Sequence, residues 1–305
     1  MRIGIHAGPL VLLGAAPADV VEHAAGAEAD GFASYWLPQT NAVEALAVIG
    51  MCGAATSSIE FGTAVIPTWG RHPHVLAGQA LTAQAATGNR VVVGIGVAHK
   101  PSVEERYHIP FERPVRHLRE YLDVLQPLLA DRKVDVEGEI WSCTAELVGP
   151  AAEAPPVMVA AMGPQFLRLA GKRTDGTVLW LSGPTTISQH IAPTIADAAA
   201  EADRPMPRIV ASGPVSVTDR PDEVRASISE ILVGYDTLPS YRAMLDREGA
   251  ARAGDVAIIG SADEVKAELA RYAEAGATDF AAVEFGLSGE EFAATREVLK
   301  EVQSG

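Results

Sequence analysis

Apolar positions along this chain fall in short unbroken runs, separated by longer stretches whose apolar residues recur at helical spacing. The runs are Arg2–His6, Ala33–Leu37, Glu60–Ile66, Arg90–Gly96, Pro156–Ala161, Gly176–Leu181, Arg208–Val217 and Asp279–Glu284. They are apolar nearly throughout rather than alternating, the pattern of parallel strands covered on both faces. Helical periodicity fills the intervals near 17–29, 41–55, 74–87, 114–130, 164–173, 184–201, 221–249 and 261–275. The 221–249 interval reads as two pieces, and a last helix lies near 289–303. Strands each followed by a helix, eight times over, predict an α/β fold of the (β/α)8 TIM-barrel kind, with residues 1–305 as a single domain. "ADGFASYWLP" from Ala29 and "TDGTVLWLSGP" from Thr174 share a helix-end Asp-Gly. There Gly31 and Gly176 suit the left-handed position that closes many helices.

Two segments exceed a minimal barrel. Lys133–Trp141, "KVDVEGEIW", alternates with period two around Glu137-Gly138 and predicts a small hairpin. Pro221–Ala253 is long for one crossover and predicts a helical insertion after the seventh strand, either a lid over the barrel mouth or an ordinary surface helix.

Composition narrows the function classes. Hydrophobic residues make up 48% of the chain, enough for a sizeable core, and the net charge is -15. An acidic surface repels phosphate backbones and anionic lipid, which argues against nucleic-acid and membrane partners. Two cysteines, Cys52 and Cys143, suit a reduced cytoplasm rather than a disulfide scaffold, and no Cys or His spacing suggests a metal. Neither a signal-peptide pattern nor an apolar run of about 18 residues is present, so a cytoplasmic setting is expected.

In a barrel, chemistry sits where strands end. The fifth and sixth runs finish alike, in Gly163-Pro164 and Gly183-Pro184, and Gly followed by Pro is a helix-start pattern. Two such starts side by side would aim free N–H groups and positive dipole ends at one place, with Ser182, Thr185 and Thr186 adding hydroxyls. That is an anion site, for phosphate, unless Gly-Pro merely starts these two helices. "VVVGIGVAH" raises a related question. It half-matches the dinucleotide fingerprint, but His99 stands where the third Gly belongs, and the run is the fourth strand rather than the first. Gly94 and Gly96 either let a flat ring approach the backbone or pack the strand tightly. His99 can donate a proton or hold a ring edge. His6 either lines the pocket floor or is a buried, hydrogen-bonded histidine. Trp69 is a candidate substrate wall or loop packing, and Tyr241 of the insertion is a further candidate substrate contact.

"GTAVIPTWGRHP", "RVVVGIGVAHK", "FERPVRHLREYLDVLQPLL", "AAMGPQFLRLAGKRTDGTVLWLSGP" and "AGATDFAAVEF" together resemble the luciferase-like family. More narrowly, they resemble its actinobacterial branch that uses the deazaflavin coenzyme F420. The resemblance spans nearly the whole chain. It implies a cofactor across the barrel mouth, touching Gln39, Thr40, Thr63, Ala64, Gly94, Gly96, Val97 and His99. It puts the phosphate tail at Met162, Gly163, Ser182 and Gly183, with Ala161, Pro164 and Leu181 beside them. It implies a non-proline cis peptide in the third strand, matching Thr63–Ala64, and a homodimer. Sugar-phosphate dehydrogenases of this family carry Asp-His at the second strand end, where this chain has Gln39 and Thr40. Their acidic residue after the fourth strand is His99 here. A sugar-phosphate substrate is therefore disfavoured, and any general acid moves to His99. The expected activity is hydride transfer between the deazaflavin and a small organic substrate. The alternatives are a monooxygenase using flavin mononucleotide (FMN) on the same fold, or a barrel that binds the cofactor without turnover.

Overall fold

The computed structural model describes residues 1–39 and 43–305. In chain order the strands are β1 (Arg2–His6), β2 (Ser34–Leu37), β3 (Glu60–Thr63), β4 (Ile66–Pro67), β5 (Val91–Gly96), β6 (Lys133–Val136), β7 (Cys143–Glu146), β8 (Val157–Val159), β9 (Gly176–Val178), β10 (Arg208–Val217), β11 (Ile258–Gly260) and β12 (Asp279–Glu284). The helices are α1 (Gly8–Leu12), α2 (Pro17–Ala29), α3 (Ala45–Cys52), α4 (Pro73–Ala86), α5 (Lys100–Tyr107), α6 (Pro114–Ala130), α7 (Pro164–Arg173), α8 (Pro184–Thr186), α9 (Ala192–Ala200), α10 (Pro221–Ile231), α11 (Pro239–Glu248), α12 (Ala262–Glu274) and α13 (Gly289–Ser304). A π-helical turn, Ile187–Ile191, joins α8 to α9 without a break.

Strands β1, β2, β3, β5, β8, β9, β10 and β12 pair in parallel, and β12 returns to β1, which closes the barrel. Side-chain alternation then sorts the apolar runs. Trp36, Val92, Met158, Val178, Val210 and Ala281 fill the interior, while Ile5, Tyr35, Phe61, Val93, Val159, Ile209 and Phe280 pack outward under the helices. Both faces are buried, so the runs are apolar throughout. The bottom is closed by charge rather than by hydrophobic packing. Arg208 holds Asp279 at 2.7 Å and Glu60 at 2.8 Å, and Arg2 reaches the same two carboxylates at 3.4 and 3.2 Å. Asp279, the buried member of the four, pairs with both arginines, so its charge avoids the cost of an unpaired ion.

The barrel departs from the sequence reading in six places, two of them the short helices α1 and α5, which were not foreseen. The third strand is broken after Thr63, and the non-proline cis bond is Ala64–Val65, one residue beyond Thr63–Ala64. The hairpin exists, but it pairs Lys133–Val136 with Cys143–Glu146, so its connection runs through 137–142 instead of turning at Glu137-Gly138. Glu120 explains the longer connection: its carboxylate accepts the Ile140 and Trp141 N–H groups and holds the loop against α6. Gly31 closes α2 with φ +84°, whereas Gly176, also at positive φ (+157°), opens β9 rather than closing a helix. A Cβ at Gly176 would lie 2.1 Å from the Arg208 carbonyl oxygen, so there Gly serves strand packing. Finally, β11 was not foreseen. The strand β10 is long, and its upper part pairs with β11 after its lower part has paired with β9.

The insertion between β10 and β11 folds onto the C-terminal face of the barrel. Val224, Ile228, Leu232, Tyr241 and Leu245 bury a second apolar cluster with Leu181, against which Met162, Trp180 and Phe285 pack. Those contacts come from the ends of the fifth, sixth and eighth barrel strands. The insertion is therefore a lid rather than a remote surface helix.

Candidate active site at the barrel mouth

An arc of aromatic rings crosses the mouth. His6 stacks on Trp180 at 5.6 Å, Trp180 meets Tyr235 edge-on at 6.3 Å, Tyr235 meets Tyr241 at 4.7 Å, and Tyr241 leans on His99 at 5.5 Å. The arc links the ends of β1, β9 and β5 through two lid residues. Such contacts fix ring positions in preferred edge-on or offset geometry.

The two histidines at its ends differ. His6 is buried, and its Nδ1 accepts the Gly8 N–H at 3.0 Å, which leaves the proton on Nε2. Burial pushes its imidazole down from 6.5 to about 4. His99 is half-buried just before α5, and burial lowers it too. At neutral pH His99 is thus chiefly the neutral ring, an N–H donor, and the imidazolium a general acid needs is a minor form. The preceding Ala98 has φ +55°, and Leu181 at the β9 end has φ +54°. Left-handed non-glycine residues cost free energy and cluster at functional sites.

Not every sequence-expected group faces the mouth. The Gln39 amide is spent on α3, where Oε1 accepts the Ala45 N–H at 2.8 Å. The Thr63 hydroxyl is fully buried and bonds both ways with Gly94, accepting its N–H and donating to its carbonyl, each at 2.8 Å. It stands in for the ladder that β3 abandons. A Cβ on Gly94 would lie 2.0 Å from the Thr63 carbonyl oxygen, and one on Gly96 would lie 2.9 Å from Val65. The Gly-Ile-Gly of β5 therefore makes room for the Thr63–Val65 segment of this same chain. Val97 packs against the main core, and Ala161 is buried, its N–H toward the Thr177 hydroxyl at 3.3 Å. Thr40 lies outside the described residues.

Trp69 stacks on His117 at 3.7 Å, and its indole N–H is buried without a partner. His117 accepts the Trp141 indole N–H at Nδ1 (3.3 Å) and so donates from Nε2 to the Thr68 hydroxyl (2.9 Å). Burial takes His117 down to about 4. Sequence reasoning missed Trp180, Tyr235 and His117. Strand parity could have found Trp180, two residues after interior Val178. Nothing local marks Tyr235, and His117 lies in an ordinary helical pattern.

The helix starts after β8 and β9 are the last elements of the site. Gly163 precedes α7 in an extended conformation, and no atom lies within 4 Å of where its Cβ would be. Pro164 beside it is exposed. The Met162 carbonyl accepts a hydrogen bond from His190 Nε2 at 2.8 Å, so the π-helical turn steadies this corner. Gly183 is buried, and Ser182 before it is 2% exposed with its hydroxyl unpartnered. Among the described residues no group of His, Cys, Asp and Glu is placed to hold a metal, and no helix is long and apolar enough to cross a membrane.

A closed parallel barrel with a lid and an aromatic arc at its C-terminal mouth defines the class. The chain belongs to the luciferase-like monooxygenase family, whose pattern it matches over residues 1–279. It is similar to the F420-dependent glucose-6-phosphate dehydrogenase of Beutenbergia cavernae, 29% identical over 227 residues, covering 69% of this chain and 67% of that one. Its fold is that of the coenzyme F420-dependent tetrahydromethanopterin reductase of Methanopyrus kandleri, with a TM-score of 0.82 at 21% identity, covering 98% and 97% of the two chains. The oxygenating constituent of 3,6-diketocamphane monooxygenase from Pseudomonas putida, in complex with FMN, shares the fold with a TM-score of 0.76 at 20% identity over 99% and 96%.

Proposed function

We propose that the protein is an oxidoreductase that uses the deazaflavin coenzyme F420 to exchange hydride with a small organic substrate. The observation that carries this reading is the open Gly163 helix start beside the aromatic arc. Free N–H groups of α7 suit a phosphate. The buried Ser182 hydroxyl has no partner and is a polar atom that a bound ligand can satisfy. The relatives named for this cofactor support the same choice.

When bound, a deazaflavin supplies two-electron hydride chemistry, and the protein binds, orients and excludes water. Here the α7 start would hold the phosphate, Trp180 and Tyr241 would wall the mouth, and the lid would keep water out. His99 would hold or deliver a proton at an imidazole nitrogen. Gln39, committed to α3, offers no proton at the second strand end.

Affinity tests this reading. The deazaflavin is expected to bind at least tenfold more tightly than FMN, a gap of about 1.4 kcal/mol. Fluorescence titration of the two cofactors measures it. Preference for FMN with oxygen uptake would instead establish a monooxygenase, and tight binding without turnover of any substrate would leave a cofactor-binding barrel.

A further inference from the structure

The helical run that begins at Pro184 continues through the π-helical turn and α9 to Ala200, so its N-terminal end carries the dipole of a long helix. That end already holds an anion. Glu248, the last residue of α11 in the lid, places Oε1 2.7 Å from the Thr186 N–H and accepts its hydrogen bond. The carboxylate lies against Gly183, where an added Cβ would be 2.5 Å from the Glu248 carboxyl carbon. The Thr186 hydroxyl donates to the Met244 carbonyl at 3.2 Å, a second tie between the same two helices. Directly before Gly183 sits the buried Ser182 hydroxyl, which none of these groups satisfies. The Thr186 N–H of the α8 start is thus already filled by this chain's own carboxylate.

We propose that Glu248 is a specificity-determining residue of the mouth: it is a built-in anion that closes the α8 start to phosphate and confines an incoming phosphate to the α7 start at Gly163. The inference rests on the cofactor reading only for the identity of the phosphate carrier. The mouth then accepts one phosphate group, and a second one, as on a phosphorylated substrate, meets a carboxylate where it would need N–H donors. Replacing Glu248 by Ala removes both the charge and the group that occupies the Thr186 N–H, and so opens the α8 start.

Inorganic phosphate is the probe, with thermal stability followed across a phosphate series at constant ionic strength. Glu248→Ala is expected to bind phosphate about tenfold more tightly than the wild type, a gap of about 1.4 kcal/mol. In Gly163→Glu, which blocks the α7 start, the phosphate response should vanish. In the double variant Gly163→Glu/Glu248→Ala it should return through the α8 start. A double variant that folds and stays blind to phosphate would overturn the proposal and leave Glu248 as a lid tie alone. A wild type blind to phosphate would equally overturn it, because the proposal places one phosphate at Gly163. No cofactor enters the measurement, so its result is separate from the test of the deazaflavin.

Discussion

Helices α7 and α8 start alike, with Gly-Pro at the end of neighbouring barrel strands, and they reach opposite states. At Gly163 the space beyond the backbone is open, whereas at Gly183 the Glu248 carboxyl fills it. The dipeptide sets backbone geometry and frees N–H groups in both places. Whether those groups wait for a ligand or are already satisfied depends on a residue over sixty positions away, on a lid that only one of the two starts touches through a carboxylate. Two identical local signals therefore do not make one doubled anion site.

Breaking the open side should have the largest effect on cofactor binding. Gly163→Glu is expected to weaken binding of the phosphate-bearing cofactor at least about a hundredfold, about 2.7 kcal/mol, because it puts a carboxylate where the phosphate meets the helix dipole. The fold should survive, since nothing crowds that position. Cofactor titration alongside circular dichroism checks both halves; unchanged affinity in a folded variant would place the phosphate elsewhere.

Alanine sharpens the comparison with a smaller effect. Gly163→Ala should stay within about 0.5 kcal/mol of the wild type, the lost helix-start preference being offset by reduced freedom in the unfolded chain. Gly183→Ala must push the Glu248 carboxyl out and lose the Thr186 bond, at about 1–2 kcal/mol. Urea unfolding of both variants measures the pair. Equal stabilities would mean that the two starts are equivalent after all.

The barrel strands were legible because burial on both faces writes continuous apolar runs, and parallel strands need little else. The lid was legible as an insertion too long for one crossover, and Gly-Pro as a helix start. Other features were not, for physical reasons. The Gln39 amide looks the same in sequence whether it faces a cofactor or caps α3. Gly94 and Gly96 record a close approach, but not whether a ligand or the Thr63–Val65 segment makes it. The hairpin connection follows Glu120, which belongs to another element. Glu248 is one acidic residue among many near a helix end, and only the docking of α11 gives it a role. Periodicity reports an element's own faces, while these four features depend on what the fold brings against them.

A shift in titration, smaller than either change above, tests whether the lid, tied down at α8, also sets the chemistry of the opposite rim. Tyr241 stands seven residues before Glu248 on α11 and covers His99. Burial is the cause that lowers His99, so Tyr241→Ala should let its pKa rise toward 6.5 as water reaches the ring. His6, packed under Trp180 and untouched by Tyr241, should stay near about 4 and serves as the internal control. NMR titration of the imidazole signals reads both rings at once. The sign carries into kinetics. If His99 is the proton donor, the imidazolium is the active form, so the rate falls as pH rises through its lowered pKa. Uncovering it should move that fall to higher pH. His99→Asn should then cut single-turnover hydride transfer by about 10²–10⁴ and remove the pH-dependent fall, while cofactor affinity changes little. If His99 only holds a ring edge, the same variant should weaken cofactor binding by about 1 kcal/mol and leave the saturated rate in place. An unmoved His99 titration in Tyr241→Ala would show that the barrel rim, not the lid, desolvates this ring, and the link between the filled α8 start and the proton chemistry across the mouth would be broken.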